Sequence, residues 1–255
     1  MISTILQGRL GNQFYQIAML LAYCKQYNLD YHIPDTAYHC DGKKMYFSNL
    51  SMGPELQGLQ EVHELVVHAT ANNDGTYNYN TPAYQELPKV DNIKFVGYWQ
   101  SFKYFDDYRD YILEKFQIPY ILTSMVSIHI RRGDFTQLTD KHPIIPMSYY
   151  YNTMDYFQKL GYNDFLVFSD DIEWCKTNLI YPSANIMFQE EQTEYTDLWA
   201  MSSCAHNILC YSTFGFIAAW LNRNKDKQVV LPPEKYNFAG ANKDMIPDYF
   251  TQIDY

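Results

Sequence analysis

Two adjacent arginines stand in the segment His-Ile-Arg-Arg-Gly-Asp at residues 129–134, at the end of an alternating apolar run. The planar guanidinium group offers parallel N–H donors, which suit bidentate contact with phosphate oxygens. Asp134 can orient one arginine or accept a proton. The alternative is a structural ion pair with a neighbouring carboxylate. Because the chain has 19 basic and 29 acidic side chains, for a net charge of −10, the pair Arg131 and Arg132 is predicted to bind an anion.

A second segment, Phe-Ser-Asp-Asp at residues 168–171, supplies paired carboxylates after another apolar run. Ser169 or Asp170 could simply cap the helix that follows. A carboxylate at a strand end can also bind a ribose hydroxyl or the donor edge of guanine, and paired acids suit Mg²⁺ or Mn²⁺. The chain contains no Asp-x-Asp motif, so a metal site is the less favoured of these hypotheses.

Two further segments place polar groups where a helix is predicted to begin. The segment Gly-Arg-Leu-Gly-Asn-Gln at residues 8–13 permits a tight turn that brings backbone N–H groups toward a ligand. Its spacing matches neither a dinucleotide fingerprint nor a Walker A loop. An ordinary turn with an Asn cap is the simpler interpretation. The segment Tyr-Ser-Thr-Phe-Gly at residues 211–215 offers hydroxyls that either bind phosphate or cap the helix.

Strands and helices alternate regularly along the chain, and each of the four segments follows a predicted strand. Apolar runs suit buried strands at 2–6, 93–98, 126–130, 165–168, 186–188, 207–210 and 229–231, and helices are predicted at 13–27, 105–116, 147–160, 172–179, 195–204 and 214–222, with a loop at 7–12. This order predicts an α/β fold of doubly wound sheets, in which ligands bind at the carboxyl ends of strands. Pro119 marks a boundary between two lobes near residue 120.

Composition excludes several other classes of protein. The acidic net charge argues against a duplex nucleic-acid binder, and five scattered cysteines without a Cys-x-x-Cys pair give neither a zinc site nor a disulfide framework. We find no signal peptide and no apolar run of the ~18 residues that a membrane span needs. We therefore expect a soluble, cytoplasmic protein. The 25 tyrosines favour core packing over sugar stacking.

Together the four segments resemble glycosyltransferase family 11, the α-1,2-fucosyltransferases. The family patterns match residues 8–16 (Gly-Arg-Leu-Gly-Asn-Gln, an aromatic residue and Gln), 129–135 (His-x-Arg-Arg-Gly-Asp-aromatic), 168–174 (Phe-Ser-Asp-Asp, then Trp) and 197–221 (Asp-Leu-x-x-Met-Ser-x-Cys, then Ser-Thr-Phe and Ala-Trp-Leu). These matches occur in order over most of the chain. One departure is the single tryptophan after Phe214, where many relatives carry two, and residues 31–90 match no family pattern.

The resemblance implies a GT-B-like fold of two Rossmann-like lobes with a cleft between them, residues 1–120 on the acceptor side and 121–255 binding the donor. It implies an inverting enzyme that moves L-fucose from GDP-β-L-fucose to a galactoside hydroxyl, forming an α-1,2 linkage without a metal or other cofactor. The expected partners are GDP-fucose and a galactose-terminated oligosaccharide or glycan, with no nucleic acid and no integral membrane segment. A lipid-linked acceptor would bring the protein to the inner membrane as a peripheral protein.

The resemblance also assigns roles to individual residues. Arg131 would contact the β-phosphate of the leaving group, and Asp134 and His129 would complete the catalytic set, with Asp134 as a base or as a brace for the arginines. The donor-binding residues would be Arg9, Gly11, Asn12, Arg132, Ser169, Asp170, Asp171, Ser212, Thr213 and Phe214. No residue is expected to hold a metal.

Two alternatives stay open at this point. The enzyme could transfer another GDP-linked 6-deoxysugar or form another linkage, since the same phosphate and guanine groups would serve. A protein of another class, a non-catalytic nucleotide-sugar or glycan binder, would bind GDP without turnover.

Overall fold

Parallel strands form the main sheets of the protein, which a computed structural model describes at residues 1–39, 42–63, 70–71, 77–78, 83–119, 121–140, 142–190, 193–234, 237 and 243–252. The chain divides into two units, Met1–Ile118 with Gly240–Pro247, and Pro119–Ala239 with Asp248–Tyr255. The described segment 243–247 thus groups with the first unit, whereas the sequence pattern assigned everything after residue 120 to the second. No helix in the described part of the chain has the length and apolar character of a membrane span.

The first unit is built on a parallel sheet in the order β3-β1-β9-β6, against which a long buried helix packs. Its elements are β1 (Ile2–Thr4), β2 (Leu6–Gln7), α1 (Leu10–Tyr27), β3 (Tyr31–His32), β4 (Ala37–His39), β5 (Gly42–Lys43), β6 (Gln60–His63), β7 (Thr70–Ala71), β8 (Tyr77–Asn78), β9 (Ile93–Val96) and α2 (Arg109–Phe116). Aromatic rings of α1 and α2 meet in its core, where Phe14 stacks on Phe116 with ring centroids 4.5 Å apart.

Helix α1 begins earlier than the sequence predicts. Gly8 turns the chain with a φ of +78°, and Arg9 is extended at the cap position, so the helix starts at Leu10. The predicted loop at 7–12 is therefore wrong in its second half, because Gly11 and Asn12 lie in the first helical turn. The simpler interpretation of an Asn cap is wrong for the same reason.

The second unit contains a six-stranded parallel sheet in the order β12-β11-β10-β13-β14-β15. Its elements are β10 (Val126–Ile130), α3 (Met147–Lys159), β11 (Asp164–Ser169), α4 (Ile172–Asn178), β12 (Asn185–Phe188), α5 (Glu194–Ser202), β13 (His206–Ile208), α6 (Thr213–Leu221), β14 (Val229–Leu231) and β15 (Thr251–Gln252). These bounds agree closely with the predicted strands and helices, although β13 ends two residues early. The α/β class and the Rossmann-like sheets are confirmed.

The order of strands in the second unit reverses at β10. The chain runs outward from β10 through β11 to β12, then crosses back and places β13 on the other side of β10. In an open α/β sheet the loops leave in opposite directions at such a reversal, and a crevice opens at the carboxyl ends of the two strands. The topology alone therefore favours a ligand site between the residues that follow β10 and those that follow β13.

A buried amide network fixes the elements on the β13 side. The side chain of Asn207 donates hydrogen bonds to Ser127 Oγ (2.7 Å) and to the Met201 carbonyl (3.0 Å). Asn222 donates to the carbonyl of Cys204 (2.7 Å) and to Asn207 Oδ1 (2.9 Å). Both asparagines are fully buried. The network links β10, α5, β13 and the C-terminal end of α6, so it fixes that end of the helix against the sheet.

We expect Asn222→Ala to lower the free energy of unfolding by about 2–3 kcal/mol, because it leaves the Cys204 carbonyl and Asn207 Oδ1 buried without this donor. Chemical denaturation of the purified protein measures this change. The matched control is Asn178→Ala, which removes an exposed amide that bonds one helix turn back to Trp174 and should cost under about 1 kcal/mol. Equal losses in the two variants would show that the buried network adds nothing.

Candidate active site

The carboxyl end of β10 holds Arg131 between two carboxylates. Its guanidinium lies 2.6 Å from Asp134 Oδ1 and 2.9 Å from Asp170 Oδ2, and its side chain is only 17% exposed. Both interpretations of the arginine pair therefore bear on this residue: it makes structural ion pairs here, and it stands at the strand end where an anion would bind. The sequence indicated an ion pair as an alternative but not that two carboxylates would share one arginine.

Arg132 is fixed differently from its neighbour. Its backbone N–H donates to Asp170 Oδ1 at 2.8 Å, and its Nε lies 3.2 Å from Asp171 Oδ2. The guanidinium carbon sits 3.5 Å from the centre of the Trp174 ring, a cation–π distance at which the planar group stacks on the aromatic face. Arg132 is therefore held by α4, while Arg131 is held by the acidic groups around it.

Asp170 is held in place from two directions. One carboxylate oxygen accepts from the Arg132 backbone and the other faces Arg131. The second oxygen packs so near the Cα of Gly133 that a Cβ on residue 133 would collide with it. A glycine is thus required at residue 133 for the close approach of Asp170 to the arginine loop.

The helix α4 is capped by Asp171, not by Ser169 or Asp170 as the sequence predicted. Asp171 Oδ1 accepts from the Trp174 backbone N–H at 3.4 Å, and Ser169 Oγ accepts from the Asp171 backbone N–H at 3.0 Å. The helix starts at Ile172, so the cap falls one residue after Asp170 and two after Ser169. Ser169 therefore shapes the turn, while Asp170 is left to face the arginines.

His129 lies beneath the site and not on its surface. Its side chain belongs to a residue only 5% exposed, and Nδ1 lies 3.3 Å from Cys210 Sγ across the gap between β10 and the chain after β13. The ring also contacts Phe214, with centroids 5.4 Å apart. Burial and then the charge of Arg131 lower the pKa of His129 to about 3. The imidazole is therefore neutral near pH 7 and joins β10 to the start of α6.

The segment after β13 brings partly exposed residues to the same end of the sheet. Ser212 is the cap residue of α6 with an extended backbone, and its side chain makes no capping hydrogen bond. Thr213 and Phe214 form the first turn of α6 and are, like Ser212, intermediate in exposure. The first backbone N–H groups of a helix attract anions, and here they follow the strand beside Arg131.

A cavity of about 160 Å³ opens at the reversal of strand order. It is bounded by the end of β10, the segment after β13, the loop before α3, and side chains of α3 and α4: Ile130, Arg131, Arg132, Phe135, Thr136, His142, Pro143, Ile144, Ile145, Pro146, Met147, Tyr150, Trp174, Cys210 and Tyr211. Of the predicted site residues only Arg131 and Arg132 line it. The loop His-Pro-Ile-Ile-Pro-Met at 142–147 was missed, although its two prolines among apolar residues could have marked a rigid wall.

The predicted residues of the first unit form a separate cluster at the start of α1. Asn12 Oδ1 accepts from Gln100 Nε2 at 2.8 Å, Gly11 is buried and Arg9 is exposed. Gln13 Nε2 donates to the carbonyls of Gly8 (3.0 Å) and Lys44 (2.8 Å). Gln13 thus holds the turn in place, while Arg9 is exposed and Gly8 and Asn12 are partly exposed.

Metal ligands are not grouped within the described ranges: no set of three or more His, Cys, Asp or Glu side chains there could hold an ion. Asp170 and Asp171, the pair considered for Mg²⁺, face different arginines.

The fold has parallel sheets, and the arginine pair stands at the end of β10, beside the strand that leads to α6. Comparison with known proteins gives the family. Residues 78–244 match the family model Glycosyl transferase family 11. The chain belongs to glycosyl transferase family 11, which confirms the resemblance drawn from the four segments.

Three relatives illustrate the range of this family. The chain is 31% identical over 161 residues to an alpha-1,2-colitosyltransferase of Escherichia coli (56% of this chain, 55% of the relative). It is 32% identical over 170 residues to the O-antigen biosynthesis glycosyltransferase WbnK of Escherichia coli (58% and 56%). It is 26% identical over 242 residues to galactoside alpha-(1,2)-fucosyltransferase 1 of Homo sapiens (84% and 63%). The chain thus spans a little over half the length of the first two relatives.

The lowered pKa of His129 predicts a pH-dependent stability. Between about pH 3 and the ordinary value of 6.5, only the unfolded chain takes up the proton, so the stabilisation from His129 is complete above pH 6.5 and declines as the pH falls. We expect the stability advantage of the wild type over His129→Asn to shrink by on the order of 1 kcal/mol per pH unit between pH 6 and 5.

Urea denaturation of both proteins at pH 8, 7, 6 and 5 measures this difference. The comparison with a variant cancels the effect of the many surface carboxylates, which titrate in both proteins. A stability difference that is constant from pH 8 to 5 would contradict the buried, neutral state of His129.

Proposed function

We propose that the protein is an inverting glycosyltransferase that moves L-fucose from GDP-β-L-fucose to a galactoside hydroxyl and forms an α-1,2 linkage. The observation that carries this proposal is the position of Arg131 at the carboxyl end of β10, at the strand reversal and beside the start of α6. Family membership supports the same reaction, and one relative is named a galactoside alpha-(1,2)-fucosyltransferase.

Arg131 is the leaving-group cation in this mechanism. As the bond between C1 of the sugar and GDP breaks, negative charge grows on the β-phosphate while the sugar becomes oxocarbenium-like. A cation fixed where the charge develops stabilises the transition state more than the ground state. The guanidinium of Arg131, already oriented by Asp134 and Asp170, needs little reorganisation to do this. Attack by the acceptor on the opposite face turns a β-linked donor into an α-linked product.

The carboxylates around Arg131 take different roles. Asp170 is fixed by the Arg132 backbone and by Gly133, so we assign it to hold Arg131 in place; contact with guanosine, the role implied by the family resemblance, would require it to leave these partners. The side chain of Asp134 is 47% exposed and pairs with Arg131. It is the carboxylate that can turn toward an acceptor hydroxyl, either as a base or as a brace for Arg131.

The remaining predicted residues complete the donor site in this proposal. The first turn of α6, with Ser212, Thr213 and Phe214, binds phosphate and guanosine, and Arg132 supports the diphosphate from its stack on Trp174. Ser169 and Asp171 shape the turn beside them. The buried side chain of His129 is a positioning residue, because it contacts Cys210 and Phe214 and so holds the start of α6 against β10. Arg9, Gly11 and Asn12, at the start of α1, are assigned to the donor, and the first unit as a whole receives the acceptor.

One finding supports an alternative donor sugar: a relative of this chain is named an alpha-1,2-colitosyltransferase. Another GDP-linked 6-deoxysugar would use the same phosphate-binding residues. Comparing turnover of GDP-fucose with that of other GDP-6-deoxysugars distinguishes the two.

The acceptor is a glycan, and a relative named for O-antigen biosynthesis supports this class. The proposed location is cytoplasmic, and peripheral at the inner membrane where the acceptor is lipid-linked.

We expect Arg131→Ala and Arg131→Lys each to lower kcat by at least about 10²–10³ fold, the range seen when one preorganised contact to a developing charge is removed. Lysine keeps the charge but loses the planar fork that can hold phosphate and carboxylate together. Steady-state kinetics with GDP-fucose and a panel of β-galactosides measures the effect, with the linkage identified by NMR.

The matched control for these variants is Arg109→Lys, which makes the same change at the start of α2 in the first unit and should leave kcat unchanged. Thermal unfolding separates two explanations of a loss of kcat in the Arg131 variants: a missing catalytic contact and a destabilised fold. An unfolding midpoint of Arg131→Lys equal to that of the wild type supports the catalytic role. Near-wild-type turnover in Arg131→Ala would contradict the assignment of Arg131 as the leaving-group cation. Unfolding of both variants would favour a purely structural ion pair.

Because Arg131 and Arg132 supply the positive charge at the proposed diphosphate site, we expect activity to persist in excess EDTA. Added Mg²⁺ or Mn²⁺ should not raise kcat. The assay compares initial rates with EDTA alone and with each metal in excess. A rate abolished by EDTA and restored by either ion would instead assign a metal to the carboxylates at residues 170 and 171.

A further inference from the structure

A second cavity, of about 140 Å³, is formed entirely by residues of the first unit. The C-terminal half of α1 contributes Met19, Tyr23 and Gln26, and the other walls come from the chain at 84–87 and at 103–108. Among the described residues that line this cavity, none is assigned to the donor or to the chemical step. The proposed reaction therefore leaves the cavity without a role.

The cavity lies further along α1 than the residues assigned to the donor. Met19, Tyr23 and Gln26 follow Asn12 by 7, 11 and 14 residues, so all four share one face of the helix. At a helical rise of 1.5 Å per residue, the three lie about 10–21 Å beyond Asn12 along the axis. A monosaccharide at the start of α1 is too short to reach the cavity, whereas an oligosaccharide can span this distance.

Tyrosine rings provide the flat surfaces of the cavity. Tyr84 and Tyr104 meet with ring centroids 4.9 Å apart, and Tyr23 and Tyr108 also line it. Tyr84 is 39% exposed, so a ligand can reach its ring from solvent. A tyrosine offers an apolar face next to a hydroxyl group. This surface matches a pyranose, in which C–H groups and hydroxyls lie side by side.

The polar groups around the tyrosines disfavour a charged ligand. Glu86 and Asp107 are exposed carboxylates, and Gln26 is an exposed amide. Lys103 is the one basic side chain among the described lining residues, and it forms an ion pair with Asp244. The carboxylates repel an anion such as a phosphate, and the ammonium group of Lys103 repels a cation. A neutral ring with several hydroxyls can bond with these donors and acceptors.

Hydrogen bonds hold the wall at 84–88 in place. The Tyr23 hydroxyl donates to the Pro88 carbonyl at 2.9 Å, which fixes one end of this segment to α1. The Tyr84 backbone N–H donates to Asp244 Oδ2 at 3.0 Å, which fixes the other end. The wall is therefore formed before a ligand binds, and such preorganisation lowers the entropic cost of binding.

We propose that this cavity is a second carbohydrate subsite, which holds a sugar of the acceptor glycan several units away from the sugar that is modified. The inference rests on the proposed function, which makes the acceptor a glycan and assigns the start of α1 to the donor. Tyr84 stacks on the bound ring, and Gln26, Glu86 and Asp107 bond with its hydroxyls. The subsite favours long acceptors, because only these occupy both positions at once.

Acceptors of increasing length test this subsite. Oligosaccharides of one, two and three N-acetyllactosamine units are compared by steady-state kinetics with GDP-fucose and the full chain. We expect the KM of the wild type to fall from the shortest to the longest acceptor while kcat stays constant. Contacts with a distant sugar stabilise the ground state and the transition state equally, so they change KM alone.

Tyr84→Ala removes the stacking surface from the cavity. This variant should raise the KM of the longest acceptor roughly three- to tenfold, the loss expected for one aromatic contact. The KM of the shortest acceptor and the Kd of GDP-fucose should keep their wild-type values. Tyr84→Phe keeps the ring and should keep the preference for length. Tyr249→Ala is the matched control, since Tyr249 is also exposed and packs against a single ring, that of Phe250.

Calorimetry without the donor supplies a readout besides turnover, because it gives the Kd of each oligosaccharide. Equal KM values at all lengths, or a wild-type length preference in Tyr84→Ala, would overturn the inference while the proposed function stands. If no acceptor is turned over but the longest oligosaccharide binds in a manner that depends on Tyr84, the proposed function fails and the carbohydrate site remains. The absence of both turnover and oligosaccharide binding would overturn both.

Discussion

The ion pairs of one arginine organise the whole candidate site. Arg131 ends the central strand of the second unit and is held by a carboxylate from its own loop and by another from the end of β11. A nearly buried guanidinium needs such partners, since an unpaired charge in this position would be strongly destabilising. The same two contacts aim the group at the edge of the sheet. Stability and ligand binding therefore depend on the same few atoms.

The surrounding architecture follows from that requirement. Asp170 reaches Arg131 only because β11 lies directly beside β10 and because residue 133 has no side chain. The crossover to β13 places the start of α6 on the other side of the arginine, and the neutral His129 fixes that start through Cys210. The buried asparagine network holds the far end of α6. The sheet thus brings together groups that are some 80 residues apart in the sequence.

The sequence could predict the strand ends but not the contacts made at them. The strand at 126–130 was predicted with its observed bounds because its apolar residues alternate with polar ones, the pattern of a strand. The start of α1 was missed by three residues, because an extended arginine, not the expected asparagine, occupies the cap. The cap of α4 was also mispredicted. Three adjacent polar residues, at 169–171, are equally good caps by residue type, and only the backbone geometry selects Asp171. The loop at 142–147 has no periodic pattern; its two prolines could have indicated a rigid backbone, but its place in the cavity wall depends on tertiary contacts.

The balance of charge at the site sets a condition on any anionic ligand. Two arginines face three carboxylates, Asp134, Asp170 and Asp171, so the group as a whole carries one net negative charge. A bound diphosphate adds further negative charge to this group, and the three carboxylates differ in what holds them in place. Asp170 is held by a backbone N–H and by close packing, and Asp171 caps a helix. Asp134 is the most exposed and sits on a single turn of helix after Gly133. If a phosphate displaces Asp134 from Arg131, Asp170 stays in place and keeps the guanidinium aimed at the edge of the sheet.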